Sequence, residues 1–137
     1  MIAALIYVES SAVVKSVLEE AGSQALKEFL RDRANQISSV LSRIEASRAL
    51  HRRQAAPRYE PRLHEVLEVI DLLPIDQSIV ESACRLAPAL LHSLDAIHLA
   101  SALTLGPDLE GLVTYDRRLA DAASQLGVRV FSPGSDN

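Results

Sequence analysis

The stretch Ser93-Leu94-Asp95-Ala96-Ile97-His98-Leu99-Ala100-Ser101-Ala102-Leu103 constrains this chain more than any other. Its apolar residues cover most of a helix's circumference, and such a helix is buried rather than laid on a surface. It carries one carboxylate, Asp95, in its first turn, with Ser93 predicted as the N-cap. Free backbone N–H groups and the helix dipole favour an anion there. A buried acid is nevertheless costly without a partner. The fold has to bring something to Asp95.

The 137 residues suffice for one domain with a real core. A hydrophobic share of 48% against 23% charged residues is ordinary for a globular chain. The lone cysteine, Cys84, excludes an internal disulfide and allows a reducing compartment. No apolar run approaches the roughly 20 residues of a membrane span. Met1 to Val8 is apolar but lacks a basic leader, so it reads as a strand and not a signal peptide. The expected location is cytoplasmic. A net charge of −4 argues against a general nucleic-acid coat, but leaves room for a local basic patch.

Ala3 to Val8 is a short apolar run of β formers, predicted as a strand covered on both faces. A helix follows through Val13, Val14, Val17 and Leu18, and Gly22 ends it. A second helix is predicted from Ser23 to Arg33, and a weak strand over Gln36 to Ser39. Leu41 to Gln54 is helical, with Leu41, Glu45 and Ala49 on one line. Glu45 thus interrupts an apolar seam. Pro57 and Pro61 are expected to bound a turn, Leu63 to Ile70 to form a helix, and Leu72 to Ile75 a strand. Asp76 caps a helix from Gln77 to Ala87. Leu112 to Tyr115 is predicted as a strand ending at Asp116, Leu119 to Leu126 as a helix, and Val128 to Phe131 as the last strand before a polar tail. This alternation predicts an α/β fold: a central parallel sheet of about four to five strands flanked by helices.

The acids fall where such a fold places chemistry. Glu9 ends the first strand and Asp116 the penultimate one, and ligands bind beyond the carboxyl ends of parallel strands. With Glu45 and Asp95 they make four carboxylates able to converge on one pocket. Taken singly, each also reads as a cap or a surface charge. Together they call for cations, and oxygen ligands suit Mg²⁺ or Mn²⁺. Such ions support phosphodiester hydrolysis by activating water and stabilising the leaving oxygen.

Tyr7-Val8-Glu9-Ser10-Ser11-Ala12, Arg43-Ile44-Glu45, Ser93-Leu94-Asp95-Ala96-Ile97-His98-Leu99-Ala100 and Val113-Thr114-Tyr115-Asp116 stand in this order along the chain. In these pieces the sequence resembles the PIN-domain family, and within it the VapC-type ribonuclease toxins of toxin–antitoxin pairs. The resemblance implies one three-layer PIN-like domain over 1–137, with Glu9, Glu45, Asp95 and Asp116 as metal-holding catalytic acids. It implies a metal-dependent endoribonuclease cutting structured RNA such as tRNA or rRNA, a homodimer, and a small VapB-type antitoxin. One departure stands out. The family has Asp where this chain has Glu9, one methylene longer. That predicts weakened metal affinity and activity, with a gain from Glu9→Asp. It also keeps open a binding or regulatory module built on a weakened PIN fold. A phospho-accepting receiver is disfavoured, because Glu9-Ser10-Ser11 supplies no nucleophilic Asp.

The remaining features are read more plainly. Six of twelve arginines lie between Arg43 and Arg62, offset there by Glu45 and Glu60 alone. Arg48, Arg52 and Arg117, with Ser10, are candidate RNA contacts, since Arg forks suit phosphate; a solvated helix face is the plainer reading. Ser10 and Ser11 also read as caps of the first helix. Asp121 is expected on the surface, His98 as a satisfied core or rim histidine, and Cys84 as core. Histidines beside cysteines at zinc spacing are absent. The first two helices carry more apolar residues than a small sheet needs, which predicts an exposed docking face for the antitoxin.

Overall fold

Ile6, Tyr7 and Val8 are fully buried, as a strand covered on both faces must be. In the computed structural model, which describes residues 4–135, they belong to the central strand of a five-stranded parallel sheet. The strands are β1 (Leu5–Val8), β2 (Gln36–Ser39), β3 (Ile70–Leu73), β4 (Leu109–Val113) and β5 (Val130–Phe131). Their order is β3-β2-β1-β4-β5, and every pairing is parallel. The chain builds outward from β1 to β3, then returns to build β4 and β5 on the other side. The topological switch point therefore lies between β1 and β4, where open α/β sheets bind ligands.

Alternation along β1 divides the interior in two. Ile6 and Val8 enter one core with α1 (Ser10–Val17), α2 (Ser23–Arg31), α3 (Val40–Arg52) and α4 (Ala56–Glu68). Tyr7 enters the other, with α6 (Ser93–Leu103) and α7 (Arg117–Gln125); α5 (Gln77–Arg85) packs on α6. The architecture is the expected helix–sheet–helix sandwich. Gly111 in β4 is required by close approach: a Cβ there would stand 2.5 Å from the Phe131 ring and 2.9 Å from the Arg129 carbonyl oxygen.

Several local expectations need correction. Helix α4 starts at Ala56 and runs through Pro61. Both Pro61 and Pro57, whose carbonyl loses a partner, are exposed, so water satisfies what the ring removes. Strand β3 lies at Ile70–Leu73 because it pairs residue for residue with Gln36–Ser39, and Pro74 ends it. Strand β4 ends at Val113, two residues short of the predicted limit. His92, not Ser93, is the N-cap of α6. Leu94 at 49% and Leu103 at 38% exposure show that this helix is not covered all round. Cys84 is exposed, because α5 buries the face of Ile79 instead. The apolar surplus of α1 and α2 is absorbed rather than displayed: Val13, Val14, Val17, Leu18 and Leu26 are buried, with Phe29 and Leu30 packed against them. The ends of the first strand run and of the polar tail, at 1–3 and 136–137, lie outside the described residues.

Candidate active site

Each of the three layers sends acids to the carboxyl end of the sheet. Glu9 follows β1 directly, and its N–H continues the ladder to the Val113 carbonyl at 3.0 Å. Asp116 follows β4 and caps α7, its Oδ1 accepting from the Arg118 and Leu119 N–H groups. Glu45 comes from α3 on one face, and Asp95 from the first turn of α6 on the other. All four line a single open groove of about 730 Å³.

The four are held differently. Glu9 is 5% exposed and both of its oxygens are engaged. Ser10 Oγ donates to Oε2 at 2.6 Å; Ser11 Oγ and Thr114 Oγ1 donate to Oε1 at 2.5 and 2.7 Å. Ser11 Oγ in turn accepts from the Tyr115 N–H at 2.8 Å, and Thr114 Oγ1 from the Asp116 N–H at 3.1 Å. One carboxylate thus ties the tips of β1 and β4 across the switch point. The serines do not cap α1 by their side chains; the N-cap is Glu9, without a side-chain cap bond. Charge-assisted bonds to the carboxylate outcompete a neutral cap.

Glu45 is half-buried and meets His98 Nε2 at 2.5 Å. His98 is 1% exposed, and its Nδ1 lies 2.8 Å from the Tyr7 hydroxyl. The histidine is a satisfied core residue as expected, but its partner is a candidate site acid. Glu9, Glu45 and His98 bring ligand atoms within 4.8 Å of one another.

Asp95 carries the electrostatic strain of the cluster. Its carboxyl is pushed above the ordinary value of 3.8, first by desolvation and then by the charges of Asp116 and Glu9. His98 and His92 oppose the rise. Burial alone drives the Tyr115 phenol up to about 12, and its hydroxyl donates to the Pro133 carbonyl at 2.6 Å.

The basic residues divide. Arg48, Arg52 and Arg53 line the groove with Lys15. Arg43 lines a different cleft with Pro57 and His64, Arg62 pairs with Glu65, and Arg58 stacks on Tyr59. Half of the arginine-rich segment therefore faces away. Arg117 lines a neighbouring cavity of about 390 Å³ that shares Asp116 with the groove and also takes in Asp121, which is exposed. Ser10 lines the groove but is buried with its hydroxyl committed to Glu9, so it supports the carboxylate and presents no free proton to RNA. Sequence reasoning missed Thr114 and Tyr7. Only the three-dimensional pairing of β1 with β4, and of β1 with α6, brings them to the acids.

The PIN domain family matches this chain over residues 6–125, and the chain belongs to that family. Its curated relatives place it in the VapC group. Ribonuclease VapC46 of Mycobacterium tuberculosis is 45% identical, covering 95% of this chain and 98% of the relative. Ribonuclease VapC35 of the same species is 42% identical with the same coverage, and Ribonuclease VapC47 is 33% identical over 96% and 98%. Two solved structures share the fold. One is a toxin–antitoxin complex from Klebsiella pneumoniae, with a TM-score of 0.69 at 22% identity, covering 96% of this chain and 98% of the other. The second is M. tuberculosis VapC20, described as a sarcin–ricin loop cleaving toxin, with a TM-score of 0.70 at 17% identity and coverage of 85% and 94%.

Proposed function

We propose that this protein is a Mg²⁺- or Mn²⁺-dependent endoribonuclease toxin that hydrolyses phosphodiester bonds in structured RNA of the tRNA or rRNA class. The observation that carries the reading is the convergence of Glu9, Glu45, Asp95 and Asp116 on one groove walled by Arg48, Arg52 and Arg53. The relatives named Ribonuclease VapC support the activity. The Klebsiella complex supports a small antitoxin of the VapB type as partner. A homodimer and a cytoplasmic site of action belong to the same reading, and no helix among the described residues is long and apolar enough to cross a membrane.

The donor set fits the ion. Four carboxylates offer hard oxygen ligands, and Asp95 has its pKa raised first by burial and then by the neighbouring charges of Asp116 and Glu9. When bound, a divalent ion activates water and neutralises charge at the scissile phosphate. Glu9, Glu45, Asp95 and Asp116 would hold it. Glu9 is the rigid member, fixed by three hydroxyls. Asp116 keeps Oδ2 clear of its capping bonds. The exposed guanidinium groups of Arg48 and Arg52 would take backbone phosphates and set the strand along the groove. Aromatic residues make up 4% of the chain, so shape and backbone contacts outweigh base stacking.

One observation favours a second reading, a binding module. Both Glu9 oxygens already accept hydroxyl hydrogen bonds, which lowers their appetite for a cation. A cleavage assay on total tRNA and rRNA separates the two. The nuclease reading expects products with Mn²⁺ or Mg²⁺, none with EDTA, and none from Asp95→Asn. Retained RNA binding without cleavage in every metal arm selects the module.

A further inference from the structure

We propose that Tyr7 and His98 are positioning residues that fix the orientation of the Glu45 carboxylate through a buried, proton-ordered chain. The inference rests on the reading of Glu45 as a cation-holding acid. Its geometry is independent of that reading. The Tyr7 hydroxyl lies 2.8 Å from His98 Nδ1, and His98 Nε2 lies 2.5 Å from Glu45 Oε1. Tyr7 is 0% and His98 1% exposed, so water does not compete for the bond between them, while the Glu45 end opens on the groove. The two rings meet edge to face, with centroids 5.9 Å apart and planes at 79°, which fixes the plane of the imidazole.

With an ionised Glu45 facing a neutral His98, each proton has an assigned place. An ionised carboxylate only accepts, so Nε2 carries the hydrogen. A neutral imidazole then has a lone pair on Nδ1, and the phenol donates to it. Burial holds the Tyr7 phenol far above its ordinary range, which keeps that proton in place. Nε2 is thereby closed to a cation, although His98 offers a ring nitrogen within 4.8 Å of carboxylate oxygens of Glu9 and Glu45. His98 supports a ligand and is not one itself.

The arrangement answers a specific problem. Glu45 projects from α3 on a long side chain, and freezing such a chain costs rotamer entropy. Glu9 has three hydroxyls to hold it; Glu45 has a single imidazole hydrogen bond. That bond engages Oε1 and leaves Oε2 for the groove. The chain ties an acid from one helical layer directly to a helix of the other and, because Tyr7 belongs to β1, anchors that helix's histidine on the central strand. Partners of this kind typically change metal affinity or activity by about 10–100-fold when removed.

The test has two parts. Nitrogen-15 NMR of the metal-free protein should show His98 as the Nε2-protonated tautomer, and Tyr7→Phe should lose that single form for a tautomer mixture. Mn²⁺ titration followed by electron paramagnetic resonance should show His98→Leu binding about 10–100-fold more weakly than wild type. His98→Gln, which returns a donor to Glu45 and an acceptor to Tyr7, should recover most of the loss. An Nδ1-protonated ring in wild type, or equal Mn²⁺ affinity in wild type and His98→Leu, overturns the proposal. If His98→Leu does not fold, the tautomer change in Tyr7→Phe decides. Wild type that binds no Mn²⁺ and cleaves no RNA overturns the nuclease reading itself, an outcome distinct from equal binding by both proteins.

Discussion

The two sides of the sheet are built from the same material and used differently. The α1–α4 side is an aliphatic core: Val13, Val17, Leu26, Leu50 and Leu63 close over Ile6 and Val8. The α5–α7 side packs Leu99, Leu112 and Leu119 just as tightly, but a polar line runs through it from Tyr7 to His98. Buried polar groups are destabilising unless paired, and here both are paired and lead to Glu45. One side supplies stability, and the other trades apolar packing for control of an acid.

Substitutions should separate the two sides. The largest expected effect is on the aliphatic side. Leu50→Ala, at a position 1% exposed, should cost about 2–5 kcal/mol in chemical denaturation. Its cleavage per folded molecule should stay close to wild type. A loss of cleavage larger than the folded fraction explains would make this core part of the site and erase the contrast.

Glu9→Asp comes next. The shorter side chain pulls the carboxylate back from Thr114, which anchors it across β1 and β4 at 2.7 Å. Loss of one hydrogen bond to a charged group is worth about 1.5–3 kcal/mol, so the midpoint of unfolding should fall. The resemblance to the family alone predicts a gain of activity from this change. The hydroxyl cage points the other way, toward a site fitted to Glu, and parallel denaturation and cleavage curves decide.

A smaller effect is expected along the groove. Arg48→Ala and Arg52→Ala should weaken RNA binding for all sequences alike, and each should lower the slope of affinity against salt by about one unit, the share of a single neutralised phosphate. Arg62→Ala should change neither, because Arg62 pairs with Glu65 and does not line the groove.

The smallest effect is in pH. Folding raises the Asp95 pKa, so the metal-free folded protein holds this proton more tightly than the unfolded chain. The stabilisation is complete below the ordinary value of 3.8 and is lost as pH rises through the folded value. In EDTA, wild-type thermal stability relative to Asp95→Asn should therefore decline with rising pH over that window. At neutral pH the Asn variant should melt a few degrees higher. Parallel profiles for the two proteins would remove the repulsion from the account.

What the sequence disclosed was local. A strand end puts Glu9 and Asp116 at the rim, a helical first turn presents Asp95, and an i, i+4 seam singles out Glu45. These depend on a few neighbouring residues, and the structure places all four in one groove. The details that define the site are long-range. Thr114 is 105 positions from Glu9, and His98 is 91 from Tyr7. No periodicity reports such pairs. The shift of β3 has the same origin: Ile70 fits a helical phase with Val66 and Leu67, and only its pairing with Gln36 makes it a strand residue. Cys84 reads as core in the sequence because the helical spacing of Val80 and Cys84 cannot say which face of α5 meets α6.

The central claim is that Glu9, Glu45, Asp95 and Asp116 act as one cation site. Thermal unfolding against Mn²⁺ concentration, for wild type and Asp95→Asn side by side, tests it without RNA. Wild type should gain about 2.7 kcal/mol at a hundredfold excess of Mn²⁺ over its dissociation constant. Asp95→Asn should start higher in EDTA and gain little. Equal gains in the two proteins, or no gain in wild type at millimolar Mn²⁺, would contradict the claim.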